Sequence, residues 1–239
     1  MPLPLKVLLF PGFDGTGRLF RSFIRSLPPA IMPSIVPYPA DIEYRYDELV
    51  EFAEHSLPVD RPFAMVAESF SGPVAIRLAA AKPPGLKSLV LVNTFIRPSF
   101  RWIPVGAKGI IGSYLFRVAP PVWLVRHFGL GSNASEESIS EVRAALTEVK
   151  PRVLACRARE ALSADFESDF MRVTVPMLYL RGTKDRLLAP GVASALQKRR
   201  PDLEVASLDA PHFALQRRPA EAAAVISQFL LRSAEDQPQ

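Results

Sequence analysis

The chain has a single cysteine, Cys156. A lone thiol cannot close an internal disulfide, which fits a reducing, cytoplasmic setting. To act as a nucleophile it would need a partner base and a strained turn, and its segment RVLACRARE reads as plain helix. A structural, buried or half-buried thiol is therefore expected. No apolar run reaches the ~18–20 residues needed to cross a bilayer, so no transmembrane segment is predicted. The opening MPLPLKVLLFPG lacks a basic start and a small-residue cleavage site, and reads as a first strand rather than a signal peptide. The basic excess is small, a formal +5. Its small clusters, Lys198-Arg199-Arg200 and Arg217-Arg218, fall where helices should end or turn. Nucleic-acid binding would want a denser basic stripe on a recognisable module, and none is expected.

What is present suits one α/β domain with an insertion: 239 residues, 49% of them hydrophobic and 22% charged. The 24 prolines are about twice the usual ~5% and cluster at Pro28-Pro29, Pro83-Pro84 and Pro120-Pro121, where they stiffen loops. Short apolar runs predict strands at 6–10, 34–39, 63–68, 86–94, 174–182 and 203–209. Amphipathic stretches between them predict helices at 17–27, 46–57, 70–81, 190–200 and 219–232. The runs are nearly all apolar, as in strands buried on both faces. The fold class is therefore α/β: a mostly parallel central sheet of about six strands with helices on both faces. Residues 97–172 break the rhythm, being far longer than one crossover helix needs. They carry helix-like stretches at 135–149 and 151–162, the first opened by Ser135-Glu136-Glu137-Ser138. The reading is a core of 1–96 and 173–239 with a helical cap, 97–172, inserted on the carboxyl edge of the sheet.

The chemistry concentrates where strands end. In MVAESFSGPVA a strand stops at Glu68, a serine follows, and a helix begins with no loop between. So sharp a turn pushes Ser69 out above the sheet at a helix N-terminus, and it wants small residues on each side. The usual pattern is G-x-S-x-G; here the flanks are Ala67 and Ser71, with Gly72 next. Acyl transfer also needs two N–H donors for a developing oxyanion. One comes from the residue after the serine, Phe70; the other from the loop after the neighbouring strand, PGFDGTG, most simply at Phe13. The same glycines read as a dinucleotide loop, but their spacing is G-x-x-G-x-G and not G-x-G-x-x-G; it resembles that of short-chain dehydrogenases, and that resemblance implies a Tyr-x-x-x-Lys pair. None of the five tyrosines has a lysine four residues on, so an oxidoreductase reading is set aside, and no cofactor or metal is expected. Asp185 follows the fifth strand in RGTKDR, and His212 follows the sixth in APHFAL. Of the other histidines, His55 lies in an amphipathic helix and His127 in the cap, as packing or surface residues. The order Ser69, Asp185, His212 is that of a nucleophile, an orienting acid and a general base drawn from successive loops on one sheet edge.

On PGFDGTG, AESFSG, RGTKD and PHF, in that order, the chain resembles the α/β-hydrolase superfamily along nearly its whole length. It looks most like small capped esterases and thioesterases, the pimeloyl-carrier methyl esterases of biotin synthesis among them. Such proteins often have His-Gly where this chain has Pro11-Gly12, and often begin with a hairpin ahead of the first strand found here. The resemblance implies ester or thioester hydrolysis of a small-molecule acyl substrate. Two other classes stay open: an acyltransferase or lyase on the same scaffold, and a non-catalytic ligand-binding member suggested by the altered serine flanks. In the cap, Trp102, Ile103, Ile110, Ile111, Tyr114, Leu115, Phe116, Trp123, Leu124 and Phe128 suit an acyl pocket or, as a less favoured alternative, a membrane-skimming amphipathic cap, but for most of them the expectation is that they seal the cap onto the sheet. Arg97, Arg101, Arg117 and Arg126 suit an acidic acyl carrier as well as they suit a solvated surface.

Overall fold

The computed structural model describes residues 3–235. Six strands form one sheet: β1 (Leu5–Phe10), β2 (Ile31–Ile35), β3 (Phe63–Glu68), β4 (Leu86–Val92), β5 (Met177–Gly182) and β6 (Glu204–Leu208). Their spatial order is β2-β1-β3-β4-β5-β6, and every pair is parallel. The chain leaves β1 toward one edge, then returns to lay β3 on the other side of β1. Carboxyl-end loops diverge at such a reversal and leave a crevice between them; here the two loops are those carrying Phe13 and Ser69.

Period-two alternation assigns the faces. Leu8, Phe10, Met65, Ala67, Leu89, Leu91 and Tyr179 point into one core, covered by α2 (Tyr46–Glu54), α3 (Gly72–Ala80), α7 (Glu167–Arg172) and α8 (Val192–Arg199). Val7, Leu9, Val66, Val90, Val92 and Leu180 point into the other, covered by α1 (Arg21–Arg25), α9 (Ala214–Arg217) and α10 (Pro219–Glu235). Both faces are dry, which explains strands without polar alternation. Between β4 and β5 lies a helical insertion with α4 (Val122–Leu124), α5 (Glu136–Thr147) and α6 (Pro151–Ala161). Ser135 caps α5 by accepting the Ser138 N–H, as its sequence suggests. The insertion lies over the carboxyl edge: Val125, Leu130 and Val142 pack with Leu19 and Phe213, and the Phe213 N–H donates to the Gly129 carbonyl at 3.0 Å.

Some boundaries move. The second strand is Ile31–Ile35 and not 34–39. Pro33 sits inside it, tolerated because β2 is an edge strand. β4 stops at Val92 and not Thr94, since Asn93 turns to a φ of 42°. The helix expected from residue 70 begins as a tight 3-10 turn, Ser69–Ser71, before α3. α7 and α9 are too short to announce themselves by periodicity.

Candidate active site

Because all six strands run the same way, the ends of β1, β3, β4, β5 and β6 open on one edge. Ser69 occupies the first position after β3 with φ of 51°, a left-handed conformation rare for a residue bearing a Cβ. Its neighbours hold that turn. Thr94 Oγ1 donates to the Ser69 carbonyl at 2.5 Å. Gly72 leaves room for Thr94: a Cβ there would lie 1.9 Å from Thr94 Oγ1.

Ser69 Oγ and His212 Nε2 are 2.8 Å apart, and His212 Nδ1 is 2.8 Å from Asp185 Oδ2. Asp185 Oδ1 accepts the N–H groups of Leu187 and Leu188, at 2.8 and 3.1 Å. Burial would raise the Asp185 pKa, but the charge and hydrogen bond of His212 and these two backbone donors bring it below the usual carboxylate range. An ionised Asp185 can only accept, so Nδ1 carries the ring proton, Nε2 is free, and the Ser69 hydroxyl donates to it. His212 is buried, which alone would lower its pKa; the Asp185 charge and hydrogen bond, with the charge of Glu68, raise it overall. The arrangement can take a proton from Ser69 and hold the resulting imidazolium.

The sequence profile of the alpha/beta hydrolase family matches residues 7–225. The chain belongs to that family. No curated protein matches it by sequence. Among solved structures, this alpha/beta hydrolase is similar to a thermophilic esterase from Thermogutta terrifontis (TM-score 0.69, 20% identity, covering 98% of this chain and 92% of that one). It is similar also to a carboxylesterase from Nitrososphaera gargenis (0.71, 12%, 98% and 92%). A bromoperoxidase from Bacillus anthracis scores 0.76 at 17% identity, again covering 98% and 92%. At these identities the likeness is one of fold.

The loop after β1 of this alpha/beta hydrolase turns from Gly12 to Gly15, the Gly15 N–H donating to the Gly12 carbonyl at 3.0 Å. Gly12 abuts Ser69, with 3.9 Å between a Cβ built on it and Ser69 Cβ. The Phe13 N–H has no hydrogen-bond partner among the described residues. The Phe70 ring stacks on Tyr46, at 4.9 Å between centroids, and meets Phe13 edge-on. Two ties hold this loop. Ser71 Oγ is bonded to the Pro11 carbonyl and lies 2.7 Å from the Tyr38 hydroxyl. A carbonyl only accepts, so Ser71 spends its proton on Pro11 and Tyr38 donates to Ser71. The serine in place of the usual glycine thus bolts the turn after β3 to the loop after β1. The second tie is Arg157 of α6, whose guanidinium donates to the carbonyls of Phe13 (3.1 Å), Asp14 (2.6 Å) and Pro39 (3.0 Å). It is buried, without a carboxylate at ion-pair distance among the described residues.

Sequence reasoning missed Asn93, Thr94, Glu68 and Arg157. Asn93 Nδ2 donates to the His212 carbonyl at 2.6 Å, and its Oδ1 accepts the Gly182 N–H at 2.7 Å, joining the ends of β4 and β5 to the histidine loop. Gly182 is needed there: a Cβ would meet the carbonyls of Ala210 and Pro211 at 2.5 Å. The signal for Asn93-Thr94 was two polar residues directly after the apolar run LVLV that ends β4. Arg157 left no signal, reading as one more helical arginine. The remaining candidates fall outside the site. Cys156 is buried on α6 with its thiol pKa raised by burial. His55 bonds the Glu51 carbonyl of its own helix, and His127 is exposed beside Phe128. Arg97 pairs with Asp165 and Glu167, and Arg126 with Glu136. Among the described residues, no group of three or more His, Cys, Asp or Glu side chains is placed to hold a metal, and no helix is long and apolar enough to cross a membrane.

Glu68 lies buried under the site. Its Oε2 accepts from Gln216 at 3.2 Å, and its Oε1 has no partner. Burial pushes its pKa up to about 7, with Asp14 adding to the rise and His212 and Gln216 opposing it. The folded state then binds more protons than the unfolded one from about pH 4.5 to 7. Stability from this group is fullest below that window and falls as pH rises through it. A shift of this size corresponds to about 3 kcal/mol. Glu68→Gln should therefore stabilise the protein by up to that amount at pH 8 and hardly at all at pH 4.5, read by urea unfolding at both. An equal effect at both pH values would refute the buried-charge account.

Proposed function

We infer that the chain is a serine hydrolase of carboxylic esters, thioesters within its reach, working through an acyl-enzyme on Ser69. The observation that carries this is the unbroken line Ser69–His212–Asp185, ending on a serine held in a left-handed turn at the sheet's carboxyl edge. His212 takes the Ser69 proton as Oγ attacks the ester carbonyl. Asp185 holds the ring's tautomer and stabilises its charge. The oxyanion rests on the N–H groups of Phe13 and Phe70. His212 then protonates the leaving alcohol or thiol, and water, deprotonated by the same ring, releases the acid. Residues 97–172 act as the cap over core segments 1–96 and 173–239. The esterase named among the similar structures supports this choice of chemistry.

The test is a fluorophosphonate probe with a panel of nitrophenyl esters. One label per chain, mapped by mass spectrometry to Ser69, together with ester turnover is the expected result. A folded protein that neither labels nor turns over any ester would point to the non-catalytic reading.

Arg157 serves here as a positioning residue. A lysine ammonium cannot span three carbonyls as the planar fork does. Arg157→Lys should lower kcat by about 10²-fold with KM little changed, because a displaced oxyanion donor fails in the transition state more than in the ground state. A loss confined to thermal stability, with kcat intact, would make Arg157 structural only.

A further inference from the structure

Between residues 102 and 123 the helical insertion leaves most of its large apolar side chains exposed, where the sequence suggests that they seal the cap. Trp102, Ile110, Tyr114, Leu115, Val118 and Trp123 are all more than half exposed. Eight of the twelve exposed large hydrophobics among the described residues lie between 102 and 123. Apolar residues scattered singly over a surface need no explanation; a concentration of them does.

Along the chain, the charge on this stretch is of one sign. No Asp or Glu occurs between Glu68 and Glu136, whereas the stretch carries Arg101, Lys108 and Arg117. All three are exposed, with no carboxylate at ion-pair distance among the described residues. Arg101 lies over the Trp102 ring at 5.2 Å. The stretch is anchored near the site: Arg159 of α6 donates to the Ile111 carbonyl at 3.0 Å, and the Phe116 ring meets Phe13 at 6.0 Å.

We propose that residues 101–123 dock the protein on an anionic lipid surface. Tryptophan and tyrosine favour the headgroup level, aliphatic side chains reach below it, and unpaired basic residues meet lipid phosphates. A second copy of the chain fits poorly, since pairing like faces brings Arg101, Lys108 and Arg117 against their own kind. An acidic carrier protein supplies carboxylates but no apolar phase for eight exposed side chains. Phe116 of the docked segment meets Phe13, so an ester drawn from the lipid would enter beside the site; this last step rests on the ester-hydrolase reading, and docking does not.

The chain's two tryptophans, Trp102 and Trp123, both lie in the stretch, so selectively excited tryptophan fluorescence reports on it alone. Full-length protein is mixed with vesicles of 70% phosphatidylcholine and 30% phosphatidylglycerol (~0.1 M salt), and with pure phosphatidylcholine. The expected result is co-sedimentation and a blue-shifted emission with the anionic vesicles only. Lys108→Glu/Arg117→Glu should weaken partitioning by at least 10-fold, each basic residue near an anionic surface being worth about fivefold. Ser69→Ala should bind as the wild type does, so a failed catalytic reading leaves this test intact. Absence of binding, equal binding to both vesicles, or undiminished binding by the charge variant would overturn the proposal. So would a blue shift that needs only higher protein concentration or an acidic carrier protein, and no lipid.

Discussion

Ser69→Ala is expected to lower kcat on a nitrophenyl ester by about 10⁴- to 10⁶-fold, with KM within a few-fold of wild type, and to abolish fluorophosphonate labelling. The alanine removes the oxygen proposed to attack and leaves the surrounding frame in place. The Thr94 bond to the backbone carbonyl of residue 69, the Ser71 tie to Pro11 and the Arg157 tie to Phe13 and Asp14 do not involve the lost hydroxyl. The variant should therefore fold and still bind substrate. Single-turnover and steady-state kinetics on purified protein give the answer. A kcat within tenfold of wild type would remove Ser69 from the chemistry and turn attention to water activated directly by His212.

The second large effect is expected at Asp185→Asn, about 10⁴-fold in kcat near neutral pH. The amide cannot choose its orientation freely. Leu187 and Leu188 donate two N–H groups to Oδ1, which keeps an oxygen at that position. The amide nitrogen must then face His212 Nδ1, where Oδ2 stood. Nδ1 can no longer donate and is forced to accept, so the proton moves to Nε2 and points at Ser69, and the base is lost. The same change removes the charge that holds the His212 pKa above its ordinary value. In the wild type the acid limb of kcat/KM should accordingly lie above pH 6.5, and residual activity of the variant should show that limb at lower pH. A pH–rate profile checks both statements; an Asp185→Asn variant with a tenth or more of wild-type kcat would contradict the orienting role.

The candidate site was legible where chemistry is tied to strand ends. Ser69, Asp185 and His212 each follow a short apolar run, and parallel strands bring such ends to one edge whatever the loops between them do. The serine's own motif was the irregular part. Sequence treats Ser71 as a blemished glycine; in the structure its hydroxyl is a tie between two loops, and the crowded position is Gly72 beside Thr94. The insertion was legible as an interruption and as two helices, because α5 and α6 have caps and period. The fate of its apolar residues was not, since hydrophobicity does not say which surface a side chain meets.

The sequence by itself determined the parallel α/β frame, the strand ends that carry the candidate serine, acid and histidine, and the place of the helical insertion, because strand period, turn chemistry and helix caps act over a few neighbouring residues. Only the tertiary structure decided that Arg157 reaches the Phe13 loop, that Asn93 joins two strand ends to the histidine loop, that burial raises the pKa of Glu68 beneath the site, and that Trp102 and Trp123 face outward. Those facts depend on groups 89 to 148 residues apart, or on which face of the finished fold is left uncovered, and neither is written in any local pattern.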